Sequence, residues 1–108
     1  KHPCTLWARE SKQNSMWLLS HMRALCMEYF KRYKRFHSMD GLPMVYESQL
    51  QYCSFPQNKL TEFVQAITNT ELRRDDPVEG YREYYRVEKA HFCTWKHGMI
   101  PEWFTNAA

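Results

Sequence analysis

Apolar and polar residues follow one another in this chain with a helical period rather than the alternation of a strand. With successive residues about 100° apart, the stretch from about Gln13 to Phe36 gathers Leu18, Leu19, Met22, Leu25, Cys26, Tyr29, Phe30, Tyr33 and Phe36 into an arc of about 140°. Arg23, Lys31, Lys34 and Arg35 lie opposite, which predicts an amphipathic helix with a basic outer face. Upstream, Pro3 to Glu10 reads as a shorter helix anchored by Leu6 and Trp7.

A last helix is signposted by Asp76-Pro77-Val78-Glu79, an N-cap acid with proline at the first helical position and a glutamate three residues after the cap. The pattern predicts that it runs to Lys96 or His97 and stops at Gly98. On it Tyr81, Tyr84, Tyr85, Phe92 and Trp95 share an arc of about 100°, beside a stripe of Arg82, Arg86, Lys89 and Lys96. Glu79 and Glu83 stand at pairing distance from Arg82 and Arg86.

Between these helices Ser38 to Asn58 holds Gly41, Pro43 and Pro56 and has no sustained period. A short helix over about Thr61 to Thr68 follows, with Phe63, Val64 and Ile67 facing a core. The only candidate strand is Met44-Val45-Tyr46. The fold class expected is all-α: one domain over residues 1–108, a small bundle of three or four helices with a long irregular connection. A connection of that length favours a loop that lines a site.

Composition narrows the class. The chain has 108 residues, 44% hydrophobic and 16% aromatic, too rich in rings for a disordered protein. Fifteen Lys+Arg against 12 Asp+Glu leave a net charge of +3, mildly basic. No stretch has the uninterrupted apolar length of a membrane span, and no secretion signal opens the chain, so no membrane partner is expected. Cys4, Cys26, Cys53 and Cys93 are scattered, without a Cys-x-x-Cys pair, and read as reduced thiols of a cytosolic protein. Cys93 and His97 stand four apart, but no compact four-ligand spacing exists, so neither a metal nor another cofactor is expected.

The opening His2-Pro3-Cys4-Thr5-Leu6-Trp7-Ala8-Arg9-Glu10-Ser11 resembles the signature of a family of small phage-encoded proteins. The resemblance continues through Trp17-Leu18, Glu28-Tyr29, Arg32-Tyr33, Thr61-x-Phe63-x-Gln65-Ala66 and Tyr81-Arg82-x-Tyr84-Tyr85-x-x-Glu88-Lys89-Ala90. Trp95-Lys96 and Pro101-Glu102-Trp103-Phe104 close it, so it covers nearly the whole chain. Some members of that family are labelled pyrimidine-dimer DNA glycosylases. The label implies an N-terminal amine that attacks the sugar C1′, an assisting glutamate, and basic and aromatic residues on a kinked duplex. It also implies a place in host cytoplasm or in a virion. Family members carry a further stretch before the signature, whereas this chain opens on Lys1, so an amine supplied by that stretch lies outside these residues.

Glu88 is the first candidate for chemistry, because the wheel puts its carboxylate at the centre of the aromatic arc. If buried there, it is either a general acid/base or a structural partner of Arg9 or of tyrosine hydroxyls. Arg9 is the companion candidate, able to hold phosphate or carboxylate through two parallel hydrogen bonds. For nucleic-acid contact the candidates are Arg82, Arg86 and Lys89 with Tyr84 and Tyr85, and the cluster Lys31, Lys34 and Arg35. A solvated helix face explains each stripe as well. Gln65 reads either as an amide that meets a base edge or as a surface polar residue. The leading expectation is a phage-type nucleic-acid-binding protein, of the glycosylase kind if catalytic. The alternatives are an interaction module of a phage particle or phage–host complex, and a nucleotide or small-ligand binder.

Overall fold

The computed structural model describes residues 2–105. They are all-α: among them no strand forms, and the single β-bridge, Ser11 with Gln57, is isolated. The α-helices are α1 (Pro3–Glu10), α2 (Lys12–Tyr33), α3 (Leu42–Gln49), α4 (Pro77–Tyr84) and α5 (Glu102–Thr105). The chain contacts divide into two compact units, residues 1–62 and 63–108.

In the first unit α1 and α2 meet at Ser11, whose extended backbone breaks the helix and whose hydroxyl accepts from the Asn14 N–H. One residue therefore ends α1 and caps α2. His2 caps α1 through Nδ1, which accepts from the Cys4 N–H at 3.0 Å, and Pro3 sits where its missing N–H costs nothing. Trp7, Leu19 and Cys26 form the apolar core. Burying an indole removes roughly 200 Å² from water, several kcal/mol of gross stabilisation at about 25 cal/mol per Å². The Trp7 indole N–H donates to the Glu62 carbonyl at 2.8 Å, so its polar atom is satisfied too. Arg23 pairs with Glu47 and ties α2 to α3.

Two expectations for the middle of the chain exchange places. Leu42–Gln49 is helical, continued by a 3-10 turn over Leu50–Tyr52, so Met44-Val45-Tyr46 is helix and not strand. Pro43 stands in the first turn, where proline is preadapted, and its burial against the unit holds the helix in place. Thr61 to Ile67 is not helical. Its backbone groups are claimed by side chains from elsewhere: the Thr61 N–H donates to Asn14 Oδ1, and Arg73 Nε donates to the Ile67 carbonyl. The Tyr81 hydroxyl accepts from the Ala66 N–H and donates to the Val64 carbonyl, at 2.9 and 3.0 Å. A segment with its polar groups satisfied this way has no need of i→i−4 bonds, and its Thr, Val and Ile favour extended backbone.

In the second unit Asp76 caps α4, accepting from the Val78 N–H, as the sequence predicts. The helical path continues beyond Tyr84 as a π turn over Tyr85–Lys89 and a 3-10 turn over Ala90–Phe92, then ends at Cys93. Gly98 is therefore not the stop. Trp95 and His97 both have positive φ, 48° and 57°, which no helix accommodates. Trp103 and Phe104 pack edge-on against Trp95 at 6.1 and 5.2 Å between ring centres. Ile67 and Leu72 are the buried apolar side chains among the described residues of this unit.

Candidate nucleic-acid interface

The last turns of α2 carry the densest run of cations, Lys31 to Arg35. Lys34 ends the helix in the left-handed region, φ 58° and ψ 30°, with its N–H on the Phe30 carbonyl at 2.8 Å. A non-glycine residue costs about 1 kcal/mol there, but the turn lets the following residues fold back. Phe36 stacks on Phe30 at 4.7 Å, and His37 meets Tyr29 edge-on at 4.9 Å. Arg35 Nε donates to the Tyr29 hydroxyl at 3.2 Å.

The result is a knob of paired rings edged with positive charge. Phe36 is 72% exposed, Phe30 42% and Tyr33 38%, while Lys31, Lys34 and Arg35 are exposed. Glu28 is committed to Arg32 at 2.9 Å. Lys31, Lys34 and Arg35 have no carboxylate partner among the described residues. Part of this charge serves the helix itself, since cations near the C-terminus oppose the macrodipole.

The stripe on the last helix is arranged otherwise. Arg82 pairs with Glu79 at 3.2 Å and lies 5.7 Å from the Trp103 ring centre. Arg86 pairs with Glu83 at 3.0 Å and donates to the Trp103 carbonyl, holding the C-terminal segment. Lys89 sits over the rings of Tyr84 and Phe92, at 5.3 and 5.5 Å. Each of these cations is engaged inside its own unit. Tyr84 and Tyr85 meet edge to face at 5.9 Å, and Tyr85 is 39% exposed.

Glu88 does not lie in a ring-lined hollow. It is exposed, and its carboxylate makes no hydrogen bond or ion pair with the described residues of its unit. The wheel that centred it among Tyr81, Phe92 and Trp95 assumes 3.6 residues per turn, and the π turn at Tyr85–Lys89 breaks that phase. Trp95 lies beyond the helix altogether. Arg9 is likewise exposed, its guanidinium without a hydrogen bond or ion pair among the described residues of the first unit. The enclosed carboxylate expected from the sequence is thus not formed by these residues.

Gln65 has a structural position: its amide donates to the Arg74 carbonyl and accepts from the Arg74 N–H at 3.0 Å. His97 lies outside the helix that was to align it with Cys93, and no group of three or more potential metal ligands occurs among the described residues. All four cysteines are free. No described helix is long and apolar enough to cross a membrane. Lys1, which precedes the signature, lies outside the described residues.

Sequence reasoning missed the polar network under the opening signature. Asn14 is fully buried; its Nδ2 donates to the Trp7 carbonyl at 2.8 Å and to Thr61 Oγ1 at 2.7 Å. Thr61 Oγ1 in turn donates to Glu10 Oε2 at 2.6 Å, and the Gln57 N–H donates to the Glu10 carbonyl. Trp7, Glu10 and Ser11 of the signature thus hold the α1–α2 elbow together. Only the clustering of Glu10, Ser11 and Asn14 at a helix junction hinted at it. No family model, curated protein or solved structure matches this chain.

Proposed function

We propose that this protein binds nucleic acid through the basic, aromatic C-terminal end of α2, in line with the phage-type proteins its sequence resembles. The observation that carries the reading is the set of three exposed cations, Lys31, Lys34 and Arg35, without carboxylate partners among the described residues and edged by the exposed rings of Phe30, Tyr33 and Phe36. Phosphates displace counterions at such a cluster, and rings beside it offer faces for bases. The α4 stripe is secondary in this reading, because Glu79 and Glu83 already neutralise Arg82 and Arg86.

The test is a salt titration of binding to labelled DNA, for the wild type and the Lys31→Ala/Lys34→Ala double variant. Affinity should fall steeply with salt. The variant should flatten the slope of log K against log salt by about 1.4, two phosphate contacts at about 0.7 each on a single strand. Absence of binding at low salt, or an unchanged slope in the variant, would overturn the proposal.

A second reading, an interaction module in a larger assembly, draws on a different observation. Leu25, Met27, Met44 and Tyr52 are 58, 71, 76 and 83% exposed, all in the first unit. Leu25 and Met27 lie on opposite faces of α2, so these exposed apolar side chains offer more than one place for a protein partner to bury them.

A further inference from the structure

The first unit has a shallow, largely open depression of about 620 Å³ along the N-terminal half of α2, lined by Lys12, Gln13, Met16, Trp17, Ser20 and Leu60. Its wall is the Trp17 indole, 40% exposed, held edge-on by Trp7 at 5.9 Å and stacked on His21 at 5.2 Å. A ring braced on two sides is a preorganised platform, because it gives up little freedom when something stacks on it.

The depression does not stand alone. At about 100° per residue, Gln13, Trp17, Ser20, Ala24, Met27 and Lys31 fall on one face of α2 within an arc of about 80°. Gln13, Ser20, Ala24, Met27 and Lys31 are all exposed, and no acidic residue stands on this face. From Gln13 to Lys31 the helix rises about 27 Å, enough for roughly four extended nucleotides. One end of the face has a ring, an amide, a hydroxyl and Lys12; the other runs into the cationic end of the helix.

We infer that this depression seats an unpaired base of a single strand whose phosphates follow the α2 face to Lys31 and Lys34. The inference rests on the nucleic-acid reading and adds a preference for single strands over duplex. The base stacks on Trp17, the Gln13 amide and Ser20 hydroxyl meet its polar edge, and Lys12 meets an adjoining phosphate. A duplex, whose bases are stacked internally, cannot use the depression.

The test compares binding of a short oligothymidylate, an abasic oligomer of the same length and a duplex. The wild type should prefer the oligothymidylate to both. Trp17→Ala should weaken oligothymidylate binding about tenfold, the loss expected when one stacked base is given up. It should leave abasic binding and the salt slope unchanged. Because Trp17 also touches Trp7, Ser20→Glu serves as a second variant: it changes only an exposed residue, keeps the circular dichroism of the helix, and should weaken the single strand by a similar factor. Equal binding of oligothymidylate and abasic strand by the wild type would overturn the inference. So would full oligothymidylate affinity in both variants, even where Lys31→Ala/Lys34→Ala still flattens the salt slope. If no strand binds at all, the failure is that of the nucleic-acid reading itself.

Discussion

Asn14 has no solvent exposure, and both polar atoms of its side chain are engaged. It joins the end of α1, through the Trp7 carbonyl, to the extended segment at Thr61, which is 47 residues away in sequence. Replacing it removes three hydrogen bonds and strands the Trp7 carbonyl and Thr61 N–H away from water. Asn14→Ala should therefore cost about 3 kcal/mol, read as a lower midpoint in urea unfolding; a loss within a few tenths of the wild type would mean that water replaces the amide. Glu88 is the opposite case. Its sequence position made it conspicuous, yet a residue's place on a wheel says nothing of its burial once the helix changes pitch. Asn14 was inconspicuous, because an asparagine early in a helix is ordinarily a surface residue.

At the scale of elements, α4 and the segment before it are locked by one tight contact. Gly80 is buried, and a Cβ there would collide with the Gln65 side-chain amide that grips Arg74. Gly80→Ala gains about 1 kcal/mol of helix propensity but displaces that amide and its two hydrogen bonds, worth about 1 kcal/mol each. The substitution should therefore destabilise by about 1 kcal/mol in the wild type. In a Gln65→Ala background the same change should stabilise by about 1 kcal/mol. Thermal unfolding of the four proteins closes the cycle, and destabilisation in both backgrounds would place the clash elsewhere. The caps at Asp76 and Pro77 were legible because capping is local. The π turn and the early stop at Cys93 were not, since neither leaves a compositional mark.

Across the whole molecule, the buried apolar side chains among the described residues are few: Trp7, Leu19, Cys26, Pro43, Ile67 and Leu72. Several larger side chains of the first unit remain open instead, Met44 and Tyr52 among them. Covering two such side chains is worth about 1.5–3 kcal/mol each, so association that covers them is the expected behaviour at high concentration. Sedimentation should show reversible self-association that Met44→Glu/Tyr52→Glu weakens by at least about tenfold, with helix content unchanged. A strictly monomeric wild type would remove the support for the interaction-module reading.

The all-α class, the first two helices, the cap of α4 and the cationic end of α2 were determined by local sequence, because periodicity, capping and charge act over a turn or two of chain. Tertiary structure alone decided that Thr61 to Ile67 is extended, that Leu42 to Gln49 is helical, and that Glu88 faces solvent. In the first case distant side chains, Asn14 and Tyr81 foremost, supply the hydrogen bonds that a helix would have made for itself. In the last, a change of helical pitch moved a carboxylate out of the phase on which its apparent burial depended.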